Sequence, residues 1–128
     1  MKILVGYDGS DQSRKALELA GQHAQLFGAG VDVITSMTKK VSVDEENKAE
    51  SDLEKVKAEF NEKGIPCDTH VLIRGLSPGE DIVEFAKSNQ IDEIVIGAKK
   101  RSRVGKFILG STAQYVILEA TTPVVTIH

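Results

Sequence analysis

A doubly wound α/β fold, a parallel sheet covered by helices on both faces, is what this sequence predicts, on three observations. Short β-prone apolar runs alternate with stretches of helical periodicity, and the connections between them are short. The runs at 3–5, 94–96 and 124–127 are nearly continuous in apolar residues, as befits strands buried on both sides. Strands and helices joined this closely imply right-handed crossovers and parallel pairing. With 128 residues, 41% hydrophobic and 27% charged, the chain fits one compact domain spanning residues 1–128.

Each element has its own local cause. Ile3-Leu4-Val5 is a short strand that stops at the turn-rich Gly6-Tyr7-Asp8-Gly9-Ser10, and the helical period of Ala16, Leu17, Ala20, Ala24 and Phe27 follows at once. Ser10 or Asp11 caps that helix, and Gly28-Ala29-Gly30 stops it. Residues 31–37 read as a second strand. Residues 38–48 are the best candidate for a mobile loop, and the charged stretch from Val43 to Lys63 carries Leu53, Val56 and Phe60 at the spacing of a helix with one narrow apolar face. Gly64-Ile65-Pro66 ends it, and residues 67–73 form a third strand. Ser77-Pro78-Gly79-Glu80 combines a cap residue, proline at the first helical position and an acid in the first turn, ahead of a helix burying Ile82, Val83, Phe85 and Ala86. Residues 92–97 are a fourth strand. A last helix, from about Ser111 to Ala120, turns Ala113, Val116, Ile117 and Ala120 inward, and residues 123–127 are a fifth strand.

Composition excludes several classes. The net charge of −3 conceals five basic residues concentrated in 97–106, so a general nucleic-acid binder, with its broad basic stripe, is not expected. Cys67 is the only cysteine, which rules out an internal disulfide and offers no cysteine cluster for zinc. No run approaches the roughly 18 apolar residues of a membrane span, and the start of the chain lacks the apolar core of a secretory signal. A cytoplasmic setting is the expectation.

In a doubly wound sheet a ligand sits outside the carboxyl ends of the strands, where neighbouring connections diverge. That draws attention to the loops after the first, second and fourth strands. Asp8 can accept hydrogen bonds from ribose hydroxyls, Met37 can cover a base, and the glycine-rich, basic stretch from Gly97 to Thr112 can cradle phosphate ahead of a helix N-terminus. Each has a plainer alternative: Asp8 as a turn residue, Met37 as core, the glycines as turns, and Lys99, Lys100, Arg101, Arg103 and Lys106 as a solvated loop or a dock for an acidic partner. Two phosphate motifs are absent. A Walker A loop needs glycine where Lys100 stands and Ser or Thr where Phe107 stands, and Gly6-Tyr7-Asp8-Gly9 lacks the dinucleotide spacing. His23, His70 and His128 fall away from the strand ends, and Cys67 follows Pro66 as a structural residue, so no acid–base enzyme is indicated.

The opening Ile3-Leu4-Val5-Gly6-Tyr7-Asp8-Gly9-Ser10, the strand ending at Gly97 and the sequence from Gly110-Ser111-Thr112 to Pro123-Val124-Val125 resemble the universal stress protein family along the whole chain. Its nucleotide-binding members carry glycine, two residues, glycine, nine residues, then glycine and Ser or Thr; Gly97, Gly110 and Ser111 match, and Lys100 replaces the second glycine. The resemblance implies a Rossmann-like five-stranded parallel sheet in the order 3-2-1-4-5. It also implies an ATP site with Asp8 near ribose and adenine, Met37 lining the adenine pocket, and Gly97, Gly110, Ser111 and Thr112 around ribose and phosphates. Mg²⁺ or Mn²⁺ would be held mainly by those phosphates. Lys100 and Arg101 either clamp the anion with charge-assisted bonds or fill its place, and the neighbouring matches favour the clamp. Further implications are a homodimer through strand 123–127, an unknown protein partner in a stress response, and at most slow ATP hydrolysis. The competing implication is a member that binds no nucleotide and docks an acidic partner through the basic loop.

Overall fold

Five parallel strands and four helices alternate in the computed structural model, which describes residues 1–98 and 109–128. Strand β1 (Lys2–Gly6) leads to helix α1 (Asp11–Phe27), β2 (Gly30–Ser36) to α2 (Val43–Glu62), β3 (Cys67–Leu72) to α3 (Pro78–Ser88), and β4 (Glu93–Gly97) to α4 (Ser111–Glu119) before β5 (Val124–Ile127). The strand order is β3-β2-β1-β4-β5. In register, Val5 stands beside Val33 on one side and Val95 on the other, which puts the carboxyl ends of β1, β2 and β4 together at one edge.

Both faces of the sheet are covered. On one, Ile3, Val5, Val31 and Val33 pack against Ala16, Leu17, Ala20 and Ala24 of α1 and Leu53, Val56 and Phe60 of α2. On the other, Leu4, Ile34, Ile94 and Ile96 pack against Ile82, Val83, Phe85 and Ala86 of α3 and Ala113 and Val116 of α4. Alternate strand residues feed opposite layers, so the central strands β1 and β4 are apolar through Ile3-Leu4-Val5 and Ile94-Val95-Ile96. Every fully buried aliphatic side chain contributes about 1.5–3 kcal/mol.

Serines start three of the helices. The side-chain oxygens of Ser10, Ser42 and Ser77 accept from the backbone N–H of Ser13, Glu45 and Glu80, and Glu80 returns the bond by accepting from the Ser77 N–H at 3.0 Å. Gly28 closes α1 at φ 64°, the left-handed conformation that L side chains avoid.

Three sequence expectations change. The Ser42 cap starts α2 at Val43, so the second half of the 38–48 segment is helix rather than mobile loop. Phe27 lies 57% exposed at the end of α1, edge-on to His23 at 5.9 Å. Ile117 is 44% exposed: one residue beyond Val116 turns the side chain by about 100° away from the buried stripe.

Candidate functional site

The loop after β1 is strapped to β2. The Tyr7 N–H donates to the Ile34 carbonyl at 2.9 Å, and Thr35 Oγ1 donates to the Tyr7 carbonyl at 2.8 Å. This anchors Asp8 at the sheet edge. Its Oδ1 accepts from the Ser10 N–H at 2.9 Å, while its own N–H reaches the Ser13 hydroxyl at 3.4 Å. Burial by itself would raise the Asp8 pKa, but hydrogen bonds from Ser10 and Ser13 outweigh it and hold the carboxyl below its ordinary 3.8. Asp8 is therefore an ionised acceptor at neutral pH.

Gly97 ends β4 directly beneath the first turn of α1. A Cβ there would lie 2.5 Å from the Gln12 carbonyl carbon and 2.6 Å from its oxygen, closer than real Cβ atoms come. The glycine thus serves the packing of strand against helix as well as any ligand. Beyond it, Lys100 and Arg101 lie outside the described residues. The chain re-enters at Leu109, and Gly110 stands at the N-cap of α4 in extended backbone. No side-chain hydrogen bond from the described residues caps this helix. Its first backbone N–H groups and the positive end of its dipole face the strand ends.

Two adjoining hollows open at this edge. One, about 140 Å³, has walls of Ile34, Ile82, Ile96 and Pro78 and a polar rim that includes Asp8, Ser13 and Ser36. The other, about 220 Å³, is formed by Gln12, Ala98, Gly110 and Ser111 among others. Asp8, Ser10, Gly97 and Thr112 line both. Of the residues singled out from the sequence, Asp8, Gly97, Gly110, Ser111 and Thr112 are thus brought together. Met37 is not among the lining residues: its N–H continues the pairing of β2 with β3 by donating to the Leu72 carbonyl at 2.8 Å, and the wall is made instead by Ile34 and Ser36.

Sequence reasoning also missed the polar cluster behind that wall. Asp81 of α3 is completely buried; its Oδ1 accepts from Arg74 Nε at 2.9 Å and Nη2 at 2.7 Å, and its Oδ2 accepts from the Ser36 hydroxyl. The available signals were slight: an acid immediately before the apolar Ile82-Val83 pair, and a serine two residues past Ile34 on the same strand face.

The remaining reactive groups are engaged elsewhere. His23 Nδ1 lies 2.6 Å from Glu93, and His70 Nε2 lies 3.2 Å from Asp32, which Lys2 also approaches at 3.5 Å. Burial, followed by the nearby charges of Asp32 and Asp68, pushes the Cys67 thiol up to about 12. The structural reading of Cys67 holds.

A doubly wound parallel sheet, with its cleft at the strand carboxyl ends where β1 and β4 lead to opposite layers, defines an α/β protein with a cleft at the topological switch point. Residues 1–128 match the universal stress protein family, and the chain belongs to it. A universal stress protein of Thermus aquaticus is 34% identical, the match covering 98% of this chain and 97% of the relative. Among solved structures, a universal stress protein from Archaeoglobus fulgidus superposes with a TM-score of 0.89 at 36% identity, covering all of this chain and 98% of that one. The universal stress protein from Archaeoglobus fulgidus in complex with dAMP gives 0.82 at 32% identity, with the same coverage.

Proposed function

We propose that this chain binds adenine nucleotides, with ATP as its ligand, and acts in a stress response as a nucleotide-dependent switch or partner-binding module. The observation that carries the reading is the pair of hollows joined at Asp8. The apolar one suits a flat base, the ionised Asp8 suits ribose hydroxyls, and the second hollow, at the start of α4, where no described side chain caps the helix, suits phosphates. The related Archaeoglobus fulgidus protein in complex with dAMP supports an adenine nucleotide as the ligand. In this reading Gly97, Gly110, Ser111 and Thr112 surround the ribose and phosphates, and Lys100 and Arg101, outside the described residues, supply positive charge for the anion.

Among the described residues no group of three or more His, Cys, Asp or Glu side chains is placed to hold a metal. The Mg²⁺ or Mn²⁺ that accompanies ATP would take its ligands mainly from the phosphates. Binding rather than turnover is the assigned role, because an Asp8 held below 3.8 is a weak base at pH 7. Pairing of two copies along β5, the edge strand, belongs to the same proposal. No helix among the described residues is long and apolar enough to cross a membrane.

Equilibrium titration tests the reading. ATP with Mg²⁺ is expected to bind with a Kd between about 1 μM and about 500 μM. Absence of binding up to several millimolar rejects it and leaves the basic loop as a dock for an acidic partner.

A further inference from the structure

We infer that the chain of contacts from Arg74 through Asp81 to Ser36 selects the base, by presenting a hydrogen-bond acceptor in the apolar hollow that admits a 6-amino purine ahead of a 6-oxo purine. The inference rests on the nucleotide site proposed above.

Donor and acceptor accounting carries it. Arg74 has only donors, and both of its contacts fall on Asp81 Oδ1. As the partner of the guanidinium, Asp81 accepts on both of its oxygens. The contact between Asp81 Oδ2 and the Ser36 hydroxyl therefore uses the one proton of Ser36. What Ser36 retains is acceptor capacity alone. Ser36 lines the apolar hollow beside Ile34, two residues back on β2, and Ile82, the residue after Asp81 on α3. The other hydroxyls near Asp8 are partly committed to each other: Ser10 Oγ donates to Ser13 Oγ at 3.2 Å, and Ser13 Oγ contacts the Ser10 carbonyl at 2.9 Å. At the apolar end, the group offered to a base edge is an acceptor with fixed polarity.

An adenine 6-amino group donates and matches it. A 6-oxo group places a second acceptor against it, leaving both oxygens without a proton between them. Stability does not account for the cluster, since apolar residues of similar volume serve a buried position at least as well as a buried ion pair. A completely buried carboxylate that fixes a hydroxyl at the wall of a cleft is accounted for by what that hydroxyl does there.

The test titrates ATP and ITP, which differ only at purine position 6 and its tautomeric N1, into the whole chain and its Ser36→Ala, Ser36→Thr and Asp81→Asn variants. Unaltered protein is expected to prefer ATP by about tenfold. Ser36→Ala should bring ATP to within about twofold of ITP with ITP affinity nearly unchanged, and Ser36→Thr, which keeps the hydroxyl, should restore the preference. Asp81→Asn supplies an amide donor to Ser36, frees its proton to face the hollow, and should move the ratio toward ITP in the folded fraction. An equal affinity for ATP and ITP in the unaltered protein, or a Ser36→Ala variant with the original ratio, overturns the inference and leaves the nucleotide site standing. Failure of the unaltered protein to bind either nucleotide removes both. The Ser36 variants decide the matter even if Asp81→Asn does not fold.

Discussion

Replacing Gly97 with alanine separates packing from ligand approach as the reason for a glycine at the end of β4. The added Cβ would meet the carbonyl carbon, oxygen and Cβ of Gln12 at 2.5, 2.6 and 2.7 Å. Ordinary carbon contacts begin near 3.5 Å, so β4 and the first turn of α1 must separate by about 1 Å. The obstacle is mostly backbone, and that turn is held by the Ser10 cap and the Asp8 contacts, so no side-chain rotation relieves it. A cost of about 3 kcal/mol is expected, at the upper end of ordinary overpacking. With an unfolding entropy of about 2 cal/mol/K per residue, a chain of this length loses about 4 °C of melting temperature per kcal/mol, or about 11 °C in all. Gly6→Ala is the control. Its Cβ would approach Ile82 Cδ1 at 2.8 Å, the end of a flexible side chain that can rotate, and should cost no more than about 1 kcal/mol. Thermal melts by circular dichroism without nucleotide read both. A Gly97→Ala variant melting within about 2 °C of the parent, or no lower than Gly6→Ala, refutes the reasoning and returns Gly97 to a ligand role alone.

Three further outcomes follow from the same structure. Ser77→Ala removes the reciprocal bonds with Glu80 and should lower stability by about 1 kcal/mol, read by urea denaturation; no change would mean that water replaces the cap without loss. Cys67, buried with its thiol pushed up to about 12, should resist alkylation by iodoacetamide at pH 8 in the native protein and react when urea unfolds it; equal rates would contradict the burial. Asp8→Asn should weaken ATP binding about tenfold, through loss of a charged acceptor. The same variant carries a pH signature. Because the native Asp8 pKa lies below its ordinary 3.8, its contribution to stability is present above that value and lost as pH falls through the native one, so denaturation curves of parent and variant should converge in acid. A gap that widens as pH falls reverses the assigned sign.

Much of the frame was legible because its causes are local. Ser77-Pro78-Gly79-Glu80 starts α3 through bonds that span three residues, and Gly28 ends α1 through its own φ. The alternation of strand and helix follows from apolar spacing, and from it the sequence determined the α/β class, the edge of the sheet where a ligand would sit, and Asp8, Gly97 and Gly110–Thr112 as residues of that edge. Family resemblance added the strand order, which the sheet confirms.

The tertiary structure alone decided the rest. Ser36 and Asp81 are 45 residues apart in the chain, and only the packing of α3 across the ends of β1 and β2 makes them neighbours. The sequence drew attention to Met37 and not to its neighbour Ser36, yet it is Ser36 that lines the cleft wall. That Gly97 also serves packing shows only once α1 is seen lying against it at a distance that excludes a Cβ. Spacing along the chain encodes contacts within a turn or a strand; which side chains meet across the sheet depends on how the crossovers lay the helices over it, and that is a property of the packed whole.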